Sequence, residues 1–227
     1  MTVSVIIPAF NEEARVAESV AAAFSLPGVR EVIVADDGSR DATAARATAA
    51  GARVLRLPHR GKGQAVAAAV AAAQEPFILL ADADLGDVIR HFGPLLDPVR
   101  RGEADMTIGV FGRRGSGGGV GAVVRLARWG VRRLAGVELT APLSGQRAAT
   151  AQLLRSVDLE PGFGLEVGLD IDVARRGGRL LEVTLPVAAA HAVTGRSVRG
   201  FLHRGRQFWA VARALWRRRA GTGRRAW

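Results

Sequence analysis

PFILLADAD occupies residues 76–84. Its front, PFILLAD over 76–82, is a continuous apolar run bounded by proline, as expected of a strand buried on both faces. It ends in Asp82 and Asp84, two carboxylates two residues apart at a fraying strand end. Both can turn to one hard cation, Mg²⁺ or Mn²⁺, held together with a diphosphate; alone, the same pattern is a strand-end turn with solvated acids. Upstream, VSVIIPAF (3–10), EVIVAD (31–36) and ARVLRL (52–57) also read as strands. The stretches 12–25, 41–50 and 64–74 between them have helix-forming composition and helical length. The order β-α-β-α-β-α-β with right-handed crossovers predicts an α/β fold, a mostly parallel sheet flanked by helices on both faces, in a single fused domain.

Ligands of such sheets bind at the carboxyl ends of the strands, near a topological switch point. The polar residues fall there: Asn11 and Glu12 after the first strand, Asp36 and Asp37 at the end of the second, Arg60-Gly61-Lys62 after the third, Asp82 and Asp84 after the fourth. Asp36 and Asp37 can accept hydrogen bonds from a base N–H and a ribose hydroxyl, or cap the helix over 41–50. Gly61-Lys62-Gly63-Gln64 lacks the spacing of a Walker A loop but sets a cation at a helix start, where an anion is welcome. Lys62 is the only lysine in the chain. Downstream, a helix over 88–101 leads to a strand at 105–111, then a glycine-rich loop at 112–121 expected to be a mobile lid. A basic amphipathic segment at 122–135, LSGQRAA (143–149), a helix over 165–176, a strand at 180–187 and His191 complete the body.

With 227 residues, 48% hydrophobic and 23% charged, disordered, collagen-like and coiled-coil chains are excluded. Zero cysteines excludes disulfide scaffolds, cysteine-ligated zinc, iron–sulfur clusters and thiol nucleophiles. No apolar run reaches the ~20 residues of a membrane span, and the N-terminus lacks a basic leader, so a cytoplasmic protein is expected. The net charge of +11 is unevenly placed: ten arginines and no acid follow Glu182.

VSVIIPAFNEE, VIVADDGSRDAT, HRGKGQAV and LLADADL, in that order and spacing, resemble glycosyltransferase family 2, with its GT-A (Rossmann-like) nucleotide-sugar fold. LSGQRAATAQLL, PGFGLEVGLDID and His191 extend the likeness toward bacterial glucosyl-3-phosphoglycerate synthases and polyprenyl-phosphate sugar transferases, over about residues 3 to 195. The resemblance implies a glycosyltransferase domain over 1–195, with a nucleotide-binding half (1–100) and an acceptor half (101–195). Its implied activity is metal-dependent transfer of a hexose from a UDP- or GDP-sugar to an unidentified acceptor, a phosphorylated small molecule or a lipid phosphate. Pro8, Phe10 and Glu12 would line base and ribose with Asp36 or Asp37; Lys62 would touch the uracil side or the diphosphate, and Asp82 the ribose. Asp84, with Asp82 and His191, would hold Mg²⁺ or Mn²⁺. Gly145, Gln146 and Arg147 would face the sugar or acceptor, and Thr194 and Arg196 a phosphate. Glu166 is the expected catalytic base of an inverting reaction, with Asp170 second; four apart on a helix, they share a face. Phe163 stands where the synthases frequently carry tyrosine.

The segment 196–227 is a basic amphipathic tail in which Phe201, Phe208, Ala212 and Leu215 recur at helical spacing beside Trp209 and Trp216. It is expected either to lie on an anionic membrane surface or to pack as a final core helix. A homodimer is compatible with the sequence. Nucleic-acid binding is not expected, because the basic charge is confined to the tail with no recognition module. A dinucleotide-dependent oxidoreductase is the other rival, through Gly117-x-Gly119-x-x-Ala122, but that pattern follows the fifth strand rather than the first.

Overall fold

The computed structural model describes residues 1–112, 121–159, 164–188 and 198–220, with the side chains of 188, 198–207 and 220 left aside. The first half alternates strand and helix: β1 (Val3–Ala9), α1 (Val16–Phe24), β2 (Val29–Asp36), α2 (Thr43–Ala49), β3 (Arg53–Arg56), α3 (Lys62–Ala72) and β4 (Phe77–Leu80). β1 pairs in parallel with β2 and β4, and β2 with β3, which brings their carboxyl ends to one rim. Strand pleating sends alternate residues to opposite faces. Val3, Val5 and Ile7 enter a core with α1, whereas Ile6, Ile33 and Ile78 enter a second core with α3.

After β4, the single helix expected over 88–101 is two elements, a 3₁₀ segment Ala83–His91 and α4 (Gly93–Arg100). A buried tether from α1 kinks the first of them at Gly86. The Ser19 hydroxyl donates to the Ala83 carbonyl at 2.8 Å and accepts from the Gly86 N–H at 3.0 Å, and Gly86 takes φ 56°. A regular helix cannot pass through that left-handed residue.

The chain continues through β5 (Met106–Gly112), α5 (Gly121–Ala135), β6 (Arg147–Thr150), α6 (Ala151–Ser156), α7 (Leu165–Arg175), β7 (Leu180–Ala188) and α8 (Val198–Ala220). One seven-stranded sheet, ordered β3-β2-β1-β4-β6-β5-β7, joins both halves. The expected α/β architecture is therefore present, mostly parallel, with β6 antiparallel to its neighbours β4 and β5. β6 carries no strand signal in the sequence: it is four residues long and two are alanines. Pairing along both edges substitutes for the missing β-propensity.

α7 is buried around most of its circumference. Leu165, Leu169 and Val173 join the second core, while Val167 and Ile171 join a third with Val123, Ala127 and Val131 of α5 and Val211 and Leu215 of α8. A Cβ on Gly130 would stand 2.3 Å from Leu215 Cδ2, so glycine sets the close approach of α5 and α8. Arg218, 7% exposed, pairs with Asp172 at 2.5 Å. Within the segment expected as a tail, one face of α8 thus packs on the body and the other carries Trp209 and Trp216. The expected lid residues 113–120, Phe163, His191, Thr194 and Arg196 lie outside the described residues, as do Gly117 and Gly119 of the rival dinucleotide pattern.

Candidate active site

At the rim of β1, β2 and β3, short polar side chains fasten neighbouring loops. Asn11, at φ 54°, donates its N–H to Ser39 Oγ and accepts the Arg40 N–H, both at 2.9 Å. Asp36 accepts from the Ser39 N–H at 2.9 Å. Asp37 accepts from the N–H groups of Arg60 (2.8 Å) and Gly61 (2.9 Å) and faces His59 Nδ1 at 2.9 Å. Gly61 makes this possible at φ 96°, a conformation side chains resist. Asp36 and Asp37 are 3% and 5% exposed, so both carboxylates are occupied with loop architecture. Neither caps α2: Asp41 serves its start, accepting from the Thr43 N–H at 3.0 Å. Above this rim Phe10, 43% exposed, stacks on His59 with ring centroids 4.2 Å apart and planes at 22°. The sequence flagged Phe10 and Lys62 but not His59, although His59 opens the HRGKG stretch.

Deeper along the rim, charged side chains from distant segments converge. Lys62 Nζ lies 2.7 Å from Asp82 Oδ1 and 2.9 Å from Glu166 Oε1. Gln146 Nε2 donates to Asp82 Oδ2 at 2.7 Å. A Cβ on Gly145 would fall 2.5 Å from that same oxygen and 2.9 Å from Lys62 Nζ, so glycine is what lets the loop close on the pair. Pro8 lines the small cavity between them. Burial alone would lower the Lys62 pKa, but the Asp82 and Glu166 carboxylates outweigh it and raise it, fixing the ammonium form.

Asp84 follows in the 3₁₀ segment, where Arg15 donates to its main-chain carbonyl at 2.6 Å. The Glu12 pKa is raised, first by burial and next by the charge of Asp84, with Asp41 and Asp82 adding to it and Arg15 opposing. Four carboxylates, those of Glu12, Asp41, Asp82 and Asp84, therefore share an electronegative corner. Among the described residues no three histidine or acidic side chains form a ready-made metal shell. The corner's oxygen-only donors and its excess negative charge nevertheless suit a hard divalent cation. Asp82 and Asp84 would hold it, and its chemistry there would be to neutralise a diphosphate.

Arg147 and Asp170 depart from the expected roles. Both are buried, at 1% and 0% exposure, in an ion pair with each other, with the second contact at 3.3 Å. Arg147 also donates to the carbonyls of Ser144 (2.9 Å) and Pro142 (3.2 Å), so it grips the loop that carries Gly145 and Gln146. Burial pushes the Asp170 carboxyl up to about 6 even against the lowering effect of Arg147. Of the two acids expected on α7, only Glu166 meets the Lys62–Asp82 cluster. Beyond Gln146 opens a cleft of about 420 Å³, lined by Phe111, Val124, Arg128, Pro142 and Leu143 and reaching Asp82. Glu182 anchors its outer loop by accepting from the N–H of Thr140 (2.8 Å) and of Ala141 (2.6 Å). Arg128 donates to the Thr140 carbonyl at 3.1 Å. No spacing in the sequence links Glu182, Thr140 and Arg128.

Known proteins share this fold and much of this sequence. Residues 4–155 match the Glycosyl transferase family 2 model. The chain is 38% identical over 216 residues to the glucosyl-3-phosphoglycerate synthase of Mycobacterium tuberculosis, covering 83% of this chain and 66% of that protein. It thus spans just under two thirds of the synthase. It is 31% identical over 220 residues to an uncharacterized glycosyltransferase of Mycobacterium bovis, covering 92% of this chain and 97% of that one. A crystal structure of the M. tuberculosis synthase with Mn²⁺, UDP-glucose and phosphoglyceric acid superposes with a TM-score of 0.78 at 33% identity, covering 96% of this chain and 79% of that chain. The seven-stranded sheet is therefore the GT-A sheet of those structures, and the chain belongs to glycosyltransferase family 2.

Proposed function

We propose that this protein transfers a hexose from a UDP- or GDP-sugar to a hydroxyl or phosphate acceptor, with Mg²⁺ or Mn²⁺ as cofactor. The observation that carries the proposal is the Lys62–Asp82–Glu166 cluster at the β1/β4 switch point, between the exposed Phe10–His59 stack and the cleft beyond Gln146. The aromatic stack offers a face to the nucleobase. Pro8 and Glu12 flank the ribose, and Asp82 takes a ribose hydroxyl or shares the cation with Asp84. Expulsion of the nucleoside diphosphate develops negative charge on its terminal phosphate, and the Lys62 ammonium stabilises that charge most in the transition state. Gly145 and Gln146 border the sugar. In an inverting reaction Glu166 removes the acceptor hydroxyl proton; in a retaining one it orients the acceptor.

The relative crystallised with Mn²⁺, UDP-glucose and phosphoglyceric acid supports a phosphorylated acceptor, as do Thr194 and Arg196 by position in the sequence, while His191 would join Asp82 and Asp84 at the cation. A phosphorylated small acid and a lipid phosphate are the two acceptor classes, and a cytoplasmic location supplies the nucleotide-sugar. The test is calorimetric titration with UDP, GDP, ADP and CMP, with and without Mn²⁺, followed by donor hydrolysis with the matching sugar nucleotide. Binding of UDP or GDP that requires the metal, and turnover abolished in Asp84→Asn while the fold persists, are expected. Metal-independent turnover, or an Asp84→Asn variant as active as the parent, would overturn the proposal.

A further inference from the structure

We propose that the outer face of the α5–α8 pair docks on the surface of an anionic lipid bilayer. Neither α5 nor α8 contains an acidic residue, while arginines recur along both. Three of the chain's four tryptophans lie exposed on this pair: Trp129 at 57%, Trp209 at 73% and Trp216 at 70%. Indole is usually withdrawn from water unless something else covers it. On α8 the inward stripe is Val211, Ala214, Leu215 and Arg218, all buried. Trp209, Arg213 and Trp216 follow the opposite stripe at helical spacing, with Arg219 beside them exposed. Packing through Gly130 and Leu215 fixes the two helices against one another, so this face is part of the folded body and not a loose appendage.

Tryptophan beside arginine suits the headgroup level of a bilayer, where the ring enters the acyl boundary and the guanidinium meets phosphate. Among the described residues no helix is long and apolar enough to cross a membrane, which makes the contact superficial. Glu138 lies 3.6 Å from Arg132 at the end of α5, and Asp172 pairs with Arg218 on the inward stripe of α8, which leaves the outward stripe of α8 basic. Single-stranded nucleic acid also stacks on aromatics beside cations, but it tracks a groove, and this stripe lies along the outside of a helix. On the other side of α5, Val124 and Arg128 line the cleft that reaches Asp82. A docked bilayer would therefore lie one helix away from the proposed acceptor cleft.

The experiment is cosedimentation of the full chain with phosphatidylcholine vesicles with and without phosphatidylglycerol, at low and high salt. It needs no turnover, so its outcome is independent of the donor assignment. Binding is expected only to the anionic vesicles and should weaken with salt. The paired change Arg213→Ser with Arg219→Ser should weaken it roughly 30-fold, as two interfacial cations imply. Trp209→Ser with Trp216→Ser should weaken it about tenfold or more, with melting temperature unchanged because these side chains are exposed. Absence of binding to anionic vesicles, or binding unaffected by both pairs, would overturn the proposal. So would a wild-type chain that ignores vesicles but binds oligonucleotides, or self-associates, through the same tryptophans.

Discussion

The rim formed by β1, β2 and β3 and the wall formed by residues 138–147, α7 and β7 are both polar and both shape the site, yet they are built differently. On the rim, Asp36, Asp37 and Asn11 bond to backbone N–H groups supplied by adjacent βα loops. Every loop has such donors, so an acid at a strand end finds partners wherever the chain turns. On the wall, Arg147 needs Asp170 and Thr140 needs Glu182, charged side chains on elements that meet only after the sheet has closed. Lys62, Asp82 and Glu166 lie where the two constructions join. The rim tolerates loss of one partner among several; the wall concentrates its cohesion in a few charges.

That contrast can be broken most forcefully at the junction. Lys62→Met should lower turnover of the matching sugar nucleotide by about 10²-fold or more, since a preorganised cation at the leaving phosphate is removed. It should also lower the melting temperature, because Glu166 is only 7% exposed and loses the ammonium that offsets its buried charge. An active Lys62→Met enzyme would move the charge stabilisation elsewhere.

On the wall, Arg147→Ala leaves Asp170 buried without a partner and should cost about 3–5 kcal/mol in denaturant unfolding. Replacing both, as Arg147→Met with Asp170→Leu, should recover most of that loss, whereas equal destabilisation by the double and single variants would deny that the buried charge is the cause. The same pair gives a pH signature. A carboxyl whose native pKa lies above its unfolded value favours the native state while protonated. Asp170, held at about 6, contributes stability that is complete below its unfolded pKa of about 4 and lost as pH rises through about 6. Wild-type stability measured against the double variant should therefore fall between those pH values; a flat difference would mean Asp170 titrates normally.

Smaller effects sharpen the comparison. Gly145→Ala should displace the Asp82 carboxylate and Lys62 ammonium, since the new methyl meets flexible side-chain ends and not backbone. Donor KM should rise several-fold with stability changed by less than about 1 kcal/mol. Glu182→Gln keeps the shape but weakens charge-assisted bonds to Thr140 and Ala141, for about 1 kcal/mol in melting experiments.

The rim was legible because its signals are local. Apolar runs ending in Asn11, Asp37, Lys62 and Asp82 announce strands and the turns after them, and parallel crossovers do the rest. The wall was not. Arg147 reads as a ligand-facing cation until Asp170 is seen beside it, and β6 hides its strand in alanines. Ser19 reads as an ordinary helix residue, yet it kinks the 3₁₀ segment at Gly86, just after the acid pair. His59 was missed although it sits within a recognised stretch, because only its tertiary contacts, stacking on Phe10 and facing Asp37, distinguish it from a loop histidine.

Sequence alone determined the alternation of strand and helix, the α/β class and the polar ends of the first four strands, because burial periodicity and turn chemistry act over a few residues. Tertiary structure decided which charges neutralise one another, that Glu166 and not Asp170 reaches Lys62, and which face of α8 is core. Those outcomes depend on the position of atoms up to 104 residues apart in the chain, fixed only when α7 is enclosed between two cores.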